Sequence, residues 1–557
     1  MKPHHVHTRT RAQESSNAIE RIYITMRHLF NRGFYKPMGV SGAALREALL
    51  TLRPEIYGSI AEEKIELQGL VYVMDRLPYG IEECQFVNLT SDEGYAKSQV
   101  KPIIPPKRRR HCYRIDEQQM NIVITRGRSE IYDILTHLTF LYIESHKIMN
   151  RVLSKRGDQW VLNRDWEKLA EAALKKDPLS ATQKEVALMH AANFLGRAFE
   201  EVQAIYPQFA HAKDPDRFLR LVYFLGKGAI DEITTEAARE ITFSPVLRER
   251  LGHHIHGERW AIRIKEELFA QNQLTRPIHI ISANMHSVMN TLFAEKTLPK
   301  AIRDQPRYNG YEYLSQTKNQ AARSKVQDYA QKNGMTYLAD TSQANIDVQI
   351  FDMSQVLPEK YGENPSEAPI LVVMDYAFGE QAYETMDELL KPFTKDGKTY
   401  YIPVESISIM GKAGILEGGK GDIMIPKSHI FEGTADNYPF KNKLKTKHFT
   451  EAKAYSGAMI TVLGTSLQNK DILSFFHKSS WDVIGLEMEG AHYQKAIQAA
   501  AKIRGSISPT VSVRYAYYAS DNPLETGSTL ASGGLGTTGV RPTYLITEKI
   551  MEQILTT

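Results

Sequence analysis

The chain contains 557 residues, which is too many for one ordinary hydrophobic core. At about 150 residues per domain, the length predicts three or four domains, and two large ones fit equally well. Hydrophobic residues make up 42% of the chain and charged residues 24%, as in soluble globular proteins. The net charge of +4 is small for this length and gives no case for nucleic-acid binding.

The cysteine content and the absence of long apolar runs narrow the class of protein further. The cysteines, Cys84 and Cys112, are too few for a four-cysteine zinc site and argue against a disulfide framework. The N-terminal stretch MKPHHVHTRTRAQESS has no apolar core, and no run approaches the ~18 apolar residues of a membrane span. We therefore expect a cytoplasmic protein with no membrane partner.

The N-terminal half has mostly helical periodicity. Apolar residues recur at three- and four-residue spacings over 18–30, 129–152, 184–204 and 217–225. Two short runs, LVYVM at 70–74 and NIVIT at 121–125, have the pattern of strands. The basic run KRRRH at 107–111 is interpreted as a solvated loop, the alternative being an anion or nucleic-acid patch. Residues 1–270 are predicted to form a mostly α-helical domain, whose role the sequence does not indicate.

After residue 277 the pattern alternates between strands and helices. Strand-like runs lie at 277–282, 335–340, 346–353, 369–374, 404–410, 423–425, 459–463 and 511–519, and helical patterns at 316–332 and 381–390. This alternation predicts an α/β domain over 277–557, with a mainly parallel sheet surrounded by helices. Ligands bind such sheets at the carboxyl ends of the strands, so the strand ends are the places to search for chemistry.

Two strand ends carry glycine-rich turns. In DYAFGEQ at 375–381, Gly379 either lets backbone N–H groups approach an anion at a helix N-terminus or only provides a turn. In GKAGIL at 411–416, followed by GGKGDIMIP at 418–426, small residues beside Lys412 either admit a phosphate or sugar or form a hairpin loop.

Two other strand ends carry acids. In GLEMEGAHY at 485–493, Glu487 and Glu489 would point ~200° apart on a continuous helix. At the end of a strand they would share one side, with Glu489 at the mouth of the next helix. The alternative is that both acids only stabilise a first helical turn. In YYASDNP at 517–523, Asp521 is either a turn or capping residue or a proton donor.

These four stretches, in this order, resemble the purine nucleoside phosphorylase and nucleosidase superfamily. GKAGIL followed by GDIMIP resembles its strand–loop–GD–hydrophobic–P segment, GLEMEG its ribose motif, and YYASDNP its terminal Ser-Asp motif. Within it, the AMP nucleosidases are most similar, through Lys412 and the segment EGTADNYP at 432–439. The resemblance covers about 277–557.

The resemblance implies a nucleoside-phosphorylase-like mixed sheet, partly closed and wrapped by helices, in a homo-oligomer. It implies hydrolysis of the N-glycosidic bond of an AMP-like purine nucleotide or nucleoside, releasing the base and the ribose or ribose phosphate, with no cofactor. Asp521 would protonate the departing base, Glu489 would hold the ribose hydroxyls, and Met488 would pack against the sugar. The other substrate-binding residues implied are Gly411, Lys412, Gly379 and Glu380.

Departures from the family pattern leave alternatives open. Phosphorylases of the superfamily carry a phosphate-binding arginine just before the segment that GKAGIL resembles. In this chain that position is near Ile409 and holds no arginine. Methylthioadenosine hydrolases carry a glutamate just after the first strand, where this chain reads SANMHS at 282–287. A phosphate-dependent phosphorylase and a nucleotide-sensing protein without turnover are therefore the alternatives. An AMP-like substrate fits best, with its 5′-phosphate near Lys412 or the DYAFGEQ turn.

Two remaining features complete the predictions. His137, Glu144 and His146 share a predicted helix but do not converge, so no metal site is predicted. The glycine-rich stretch SGGLGTTG at 532–539 is either a mobile lid over the purine or a connection.

Overall fold

The chain forms two compact units that interleave in sequence. A computed structural model describes residues 11–53, 64–91, 93–108, 110–175, 177–212, 214–434, 436–464, 467, 469–525 and 536–556. Unit 1 consists of Met1–Ile124 and Glu130–His253, and unit 2 consists of Thr125–Ser129 and His254–Thr557. A five-residue segment from the N-terminal half of the chain is thus part of unit 2.

Unit 1 is mostly helical. Its helices are α1 (Arg11–Arg32), α2 (Val40–Leu52), α3 (Leu67–Met74), α4 (Gly127–Val152), α5 (Arg164–Leu174), α6 (Ala181–Leu195), α7 (Phe199–Ile205), α8 (Arg217–Thr234) and α9 (Pro245–Gly252). The sequence fixes the ends of several of these helices. At α6, for example, Ser180 and Gln183 form a capping box, and Gly196 ends the helix with a φ of 62°.

Unit 1 also contains a small sheet. Its strands are β1 (Phe34–Tyr35), β2 (Phe86–Thr90), β3 (Cys112–Arg114), β4 (Gln119–Val123), β5 (Leu153–Arg156), β6 (Gln159–Leu162) and β7 (Glu240–Phe243). Five of them form a sheet in the order β1-β7-β2-β4-β3, and β5 and β6 form a separate hairpin. The predicted mostly helical class of the N-terminal half is confirmed, and the first three residues of NIVIT lie in β4 as predicted.

Two local predictions in unit 1 are wrong. LVYVM lies in α3, where six of eight residues are buried, and a short segment that is apolar on every side shows no period that separates helix from strand. The basic run is not a solvated loop at Arg108 and Arg110, whereas Lys107 and His111 are exposed and residue 109 lies outside the described part of the chain. Arg108 binds Asp133 through two hydrogen bonds of 2.9 and 2.7 Å. Arg110 is 1% exposed and pairs with Asp133 and Glu130 at 2.7 and 3.2 Å.

Unit 2 is built on a large mixed sheet. The strands of unit 2 are β8 (Ile278–Ser282), β9 (Met335–Leu338), β10 (Val348–Asp352), β11 (Ile370–Met374), β12 (Phe393–Lys395), β13 (Lys398–Tyr400), β14 (Val404–Ile415), β15 (Ile423–Phe431), β16 (Asn437–Pro439), β17 (Ala454–Thr461), β18 (Val483–Glu487) and β19 (Ser512–Asp521). Strands β12 and β13 form a separate hairpin, and the other ten form the large sheet. The order is β16-β15-β17-β18-β14-β8-β11-β10-β9, and β19 pairs with both β14 and β15.

These pairings close part of the sheet into a barrel. Strand β14 pairs with β19, β19 with β15, β15 with β17, β17 with β18, and β18 returns to β14. Strands β8, β11, β10 and β9 continue from β14 as an open sheet. Five of its strand pairs are antiparallel and five are parallel, so the predicted mixed sheet is confirmed. The parallel pairs contain most of the paired residues, as the alternation predicts.

Helices cover both faces of this sheet. They are α10 (Ile255–Ala270), α11 (Met285–Thr297), α12 (Lys300–Arg303), α13 (Arg307–Ser315), α14 (Gln320–Lys332), α15 (Met353–Val356), α16 (Pro358–Tyr361), α17 (Gln381–Leu389), α18 (Lys470–Lys478), α19 (Gly490–Gln498) and α20 (Val540–Leu555). One core contains α10, α17 and α19, and a second contains α11, α13, α14 and α20. The strand ends therefore open between two packed layers of helices.

Candidate active site

The junction between β18 and α19 separates the two glutamates of GLEMEG. The strand ends at Glu487 and the helix begins at Gly490, so the predicted strand end is confirmed. The two acids do not share one side as expected, because they bind different partners. The Glu487 carboxylate accepts hydrogen bonds from the Glu489 and Gly490 N–H groups and from the Thr461 hydroxyl. Glu487 therefore caps α19, a structural role that the sequence left unassigned.

Glu489 extends in another direction, toward the turn that follows β11. Its Oε1 accepts a hydrogen bond of 2.9 Å from the Gly379 N–H. Burial raises the pKa of Glu489 to about 8, and the neighbouring Glu487 adds to the increase. The Gly379 and Met488 N–H groups and the positive charge of Lys412 act in the opposite direction. The carboxyl ends of β11 and β18 thus meet at this acid.

The turn between β11 and α17 is closely packed. Gly379 has a φ of +55°, and a Cβ there would lie 2.4 Å from the Ser129 Oγ and 3.9 Å from the Met488 Cε. The Glu380 N–H donates to Ser129 Oγ at 2.9 Å, and the Glu380 carboxylate pairs with Arg128 at 3.2 Å. Glu380 is thus engaged by Arg128, whereas Gly379 and Met488 lie beside Glu489.

Strands β14 and β19 carry the other predicted residues. Lys412 is paired in register with Tyr518, and Asp521 with Gly414. The Ser520 hydroxyl lies 2.5 Å from Asp521 Oδ1. Gly411 lies directly under Tyr376, because a Cβ there would be 2.8 Å from the ring. Asp521 makes no hydrogen bond with Glu489 among the described residues, so a substrate would have to bridge these two acids.

A cavity of about 480 Å³ opens beside Lys412. Lys412 and Arg323 line it, together with the first turn of α11 and the start of α20, and its described lining contains no aspartate or glutamate. Asn290 faces it, is 4% exposed, and its Oδ1 has no hydrogen-bond partner among the described residues. Cations, a helix N-terminus and hydroxyl groups together favour an anionic ligand group.

The glycine-rich stretch SGGLGTTG, one interpretation of which is a lid, lies partly at this cavity. Gly536 and Gly539, at the end of SGGLGTTG, line it, whereas residues 526–535 lie outside the described part of the chain. The choice between a lid and a connection therefore stays a prediction.

Sequence reasoning missed two tyrosines that order the site. The Tyr493 hydroxyl lies 2.8 Å from Ser282 Oγ and accepts from the Ala377 N–H at 3.4 Å. It thereby joins α19 to the ends of β8 and β11. The Tyr376 hydroxyl is buried and has no hydrogen-bond partner among the described residues. Both residues lie inside motifs already singled out, GLEMEGAHY and DYAFGEQ, but nothing in their spacing marked them.

The described residues contain neither a metal-binding group nor a membrane-spanning helix. They contain no group of histidine, cysteine, aspartate and glutamate side chains arranged to hold a metal ion. None of their helices combines the length and hydrophobicity that a bilayer-spanning helix needs.

Comparison with protein families gives a match over most of the chain. The model described as "Family of unknown function (DUF6909)" matches residues 43–302 and 295–556. The chain belongs to this family. No curated protein matches it.

Solved structures of nucleoside-cleaving enzymes are similar to part of the chain. The 5′-methylthioadenosine/S-adenosyl homocysteine nucleosidase of Campylobacter jejuni is 12% identical with a TM-score of 0.31, covering 50% of this chain and 99% of that one. Futalosine hydrolase of Helicobacter pylori is 11% identical with a TM-score of 0.30, over 51% and 99%. Uridine phosphorylase of Schistosoma mansoni is 10% identical with a TM-score of 0.29, over 50% and 87%. Likenesses this low carry no functional argument.

Proposed function

We propose that unit 2 hydrolyses the N-glycosidic bond of a purine nucleotide, with AMP as the model substrate. The observation that supports the proposal is the contact of Glu489 with the Gly379 turn beside Lys412, with Asp521 on the strand next to that of Lys412. Glu489 of GLEMEG binds the Gly379 turn, and the charge of Lys412 of GKAGIL acts on the same carboxyl group. Asp521 ends the strand that pairs with the Lys412 strand.

In the proposed reaction, one residue acts on the departing base and another acts on the ribose. Departure of the purine leaves negative charge on the base, which a proton from Asp521 would neutralise. The ribose develops oxocarbenium character, and a carboxylate at Glu489 that binds the ribose hydroxyls would fix the ring for attack by water. A positioned general acid contributes roughly 10²- to 10⁴-fold to the rate.

The cavity beside Lys412 supports a nucleotide as the substrate. A 5′-phosphate there would meet Lys412, Arg323 and the N-terminus of α11, and no acid of the described lining would repel it. At the alternative phosphate position, the Gly379 N–H already binds the Glu489 carboxyl group, and Glu380 lies in the same turn. The cavity is therefore the better of the two positions for the 5′-phosphate.

The test is incubation of the protein with AMP and with adenosine, each with and without inorganic phosphate. Chromatography should show adenine and ribose 5-phosphate from AMP, at a rate that does not depend on added phosphate. Asp521→Asn should lower kcat by about 10²- to 10⁴-fold with an unchanged Tm. The matched control is Asp436→Asn, an exposed aspartate on a loop of the same unit, which should leave kcat unchanged.

The possible outcomes separate the alternatives. Ribose 1-phosphate or its 5-phosphate derivative, formed only when phosphate is present, would identify a phosphorylase, for which the cavity would hold the free phosphate. Thermal stabilisation by AMP without any product, unchanged in Asp521→Asn, would identify a binding protein. Absence of both turnover and stabilisation with every purine nucleoside and nucleotide would rule out the proposal.

A further inference from the structure

A strongly basic strip lies on unit 2 between β16 and β17. The segment 441–448 reads KNKLKTKH, and its four lysines alternate with other residues. Asn442 and Leu444 point inward and are buried, whereas all four lysines are exposed. None of these lysines forms an ion pair with a described residue. We call this set the basic rim: Lys441, Lys443, Lys445 and Lys447.

A buried arginine lies directly behind the basic rim. Arg514, in β19, is 5% exposed. Its Nε donates a hydrogen bond of 2.9 Å to Gln553 Oε1, and its Nη1 is buried with no partner among the described residues. Burial lowers the pKa of Arg514 to about 10, and no carboxylate acts against that effect. Arg514 is therefore a buried cation without a counter-ion in the described chain.

Backbone contacts join Arg514 to the basic rim. The Lys443 N–H donates to the carbonyl of Val513, the residue before Arg514, at 2.9 Å. Gln553, the hydrogen-bond partner of Arg514, lies 3.3 Å from Nδ1 of His448 at the end of the segment. Behind Arg514, its register partner Ser408 has a buried hydroxyl with no described partner. The segment that carries the four exposed lysines thus contacts the strand and the glutamine that hold Arg514.

This place is distinct from the candidate active site. Arg514 is the third residue of β19 and Asp521 is its last, so the two are about 23 Å apart along an extended strand. The cavity beside Lys412 has no lining residue from the basic rim. The two clusters therefore lie at opposite ends of the barrel.

Burial of a guanidinium group without a counter-ion is energetically unfavourable. A multiply charged oxyanion would offset that penalty and would accept hydrogen bonds from Nη1, since the planar guanidinium suits phosphate oxygens. Single-stranded nucleic acid fits less well, because its binding sites normally offer aromatic side chains for base stacking. The segment 441–448 contains no phenylalanine, tyrosine or tryptophan.

We propose that Arg514 and the basic rim form a second anion site, which binds a small ligand carrying a multiply charged phosphate group. Arg514 supplies the central hydrogen bonds, and the lysines supply attraction over a longer range. The site goes beyond the proposed hydrolase activity and does not require that activity.

The test measures Tm against pyrophosphate concentration at constant ionic strength. Wild-type protein should show a saturable rise in Tm. Because the active-site cavity also favours anions, the response of Arg514→Met is measured in the Lys412→Met background, where it should be abolished. The Tm of Arg514→Met without pyrophosphate should equal or exceed that of wild type, because the uncompensated buried charge is gone. Arg303→Met, at an exposed arginine elsewhere in unit 2, is the matched control and should behave as wild type.

Two further variants make the outcomes decisive. Lys443→Ser with Lys445→Ser should raise the half-saturating pyrophosphate concentration several-fold, and Lys412→Met alone should keep a saturable response. A response that is lost in Lys412→Met but kept in Arg514→Met would place the anion in the active-site cavity and overturn the proposal. Absence of any response in wild type would also overturn it. So would a 12-nucleotide single strand that displaces pyrophosphate and binds equally well to Arg514→Met.

Discussion

Two neighbouring glutamates have separate tasks in this site. Glu487 satisfies the free N–H groups at the start of α19, and burial raises its pKa to about 7. Glu489 binds the turn after β11, and burial together with Glu487 raises its pKa to about 8. Two acids so close together would be ordinary on a helix surface, but the strand end buries both. Under the proposed function, this burial would set the pH range in which Glu489 accepts hydrogen bonds from a sugar.

The pH dependence of turnover should follow the ionisation of Glu489. A carboxyl group must be ionised to accept hydrogen bonds from both ribose hydroxyls, and the pKa of Glu489 is about 8. We therefore expect kcat/KM for AMP to rise with pH through neutrality and to level off above about pH 8. Glu489→Gln should lower kcat/KM at least tenfold and remove this dependence. A kcat/KM that instead falls steadily between pH 6 and 8 would contradict the assignment.

Lys412 should set the preference for a nucleotide over a nucleoside. It lines the cavity in which the 5′-phosphate is placed. Loss of one charge-assisted contact costs about 1.4 kcal/mol or more, a factor of about ten in affinity. Lys412→Met should therefore raise KM for AMP about tenfold and change KM for adenosine little. Equal changes for both substrates would show that Lys412 does not contact the phosphate. Lys420→Met, at an exposed lysine of the following loop, is the control.

Glu432 should make the protein less stable at alkaline pH. Burial raises its pKa from 4.5 to about 8, and the Leu463 N–H offsets only part of this rise. Between these two values the folded state binds a proton that the unfolded state has released. The free energy of unfolding should therefore fall as pH rises through this window, by up to about 1.4 kcal/mol per pH unit from this group.

Urea unfolding at pH 5 and pH 8 measures this effect. Glu432→Gln keeps the shape of the side chain without the charge, so it should be more stable than wild type at pH 8 and similar at pH 5. Other buried glutamates titrate in both proteins, so the comparison of the two isolates Glu432. An unchanged pH slope in Glu432→Gln would refute the prediction.

At the scale of elements, apolar runs located most strands of unit 2 but not their lengths. The sequence predicted strands at 404–410 and 423–425, whereas β14 and β15 extend to Ile415 and Phe431. Pro426 interrupts the apolar pattern of β15, and the structure places a register shift there, which lets the strand continue. The extra residues are held by partners far away in sequence, which local pattern does not contain.

Local sequence patterns also predicted only part of the candidate active site. The motifs placed Glu489, Gly379 and Lys412 at strand ends, and the structure brings them together. Arg323 of the cavity was missed because it comes from a helix whose sequence is ordinary, and Tyr493 was missed although it lies in GLEMEGAHY, because its partners are distant in sequence. Stabilisation of a first helical turn was one of two alternatives for Glu487 and Glu489, and only the residue at which β18 ends decides that it applies to Glu487.

At the start of α19, replacing Gly490 by alanine should lower the stability of the protein. A Cβ at Gly490 would lie 2.3 Å from the His429 ring, which is itself buried among Phe440 and Tyr515. Helix propensity favours alanine over glycine by about 1 kcal/mol, but overpacking typically costs about 1–3 kcal/mol. Because His429 is held on both sides, we expect Gly490→Ala to destabilise the protein in urea unfolding.

A matched glycine makes this comparison quantitative. A Cβ at Gly419 would meet no atom within 4 Å, so Gly419→Ala should be close to neutral. In a double-mutant cycle, Gly490→Ala should cost less when His429 is already alanine. Equal costs in both backgrounds would show that the clash is not with His429.

At the scale of the whole molecule, the active-site unit is not one continuous stretch of chain. The segment Thr125–Ser129 comes from between two parts of unit 1 and belongs to unit 2. Within unit 2 it binds the turn that carries Gly379, through Ser129 Oγ to the Glu380 N–H and through Arg128 to the Glu380 carboxylate. Thr125 Oγ1 accepts a hydrogen bond from Asn345 at 2.7 Å. The sequence TRGRS contains no pattern that predicts these contacts with distant residues of unit 2.

This segment should therefore control substrate binding from 250 residues away in sequence. Ser129→Ala removes the acceptor of the Glu380 N–H, a loss that costs about 1–3 kcal/mol when the group is shielded from water. The turn that positions Glu489 would loosen, because Gly379 lies between Ser129 and Glu489. We expect KM for AMP to rise several-fold with a smaller change in kcat, and Arg128→Met to act in the same direction. Ser98→Ala, at an exposed serine of unit 1, should leave both constants unchanged. If Ser129→Ala lowers Tm but leaves KM unchanged, the segment stabilises unit 2 without positioning the ribose-binding glutamate.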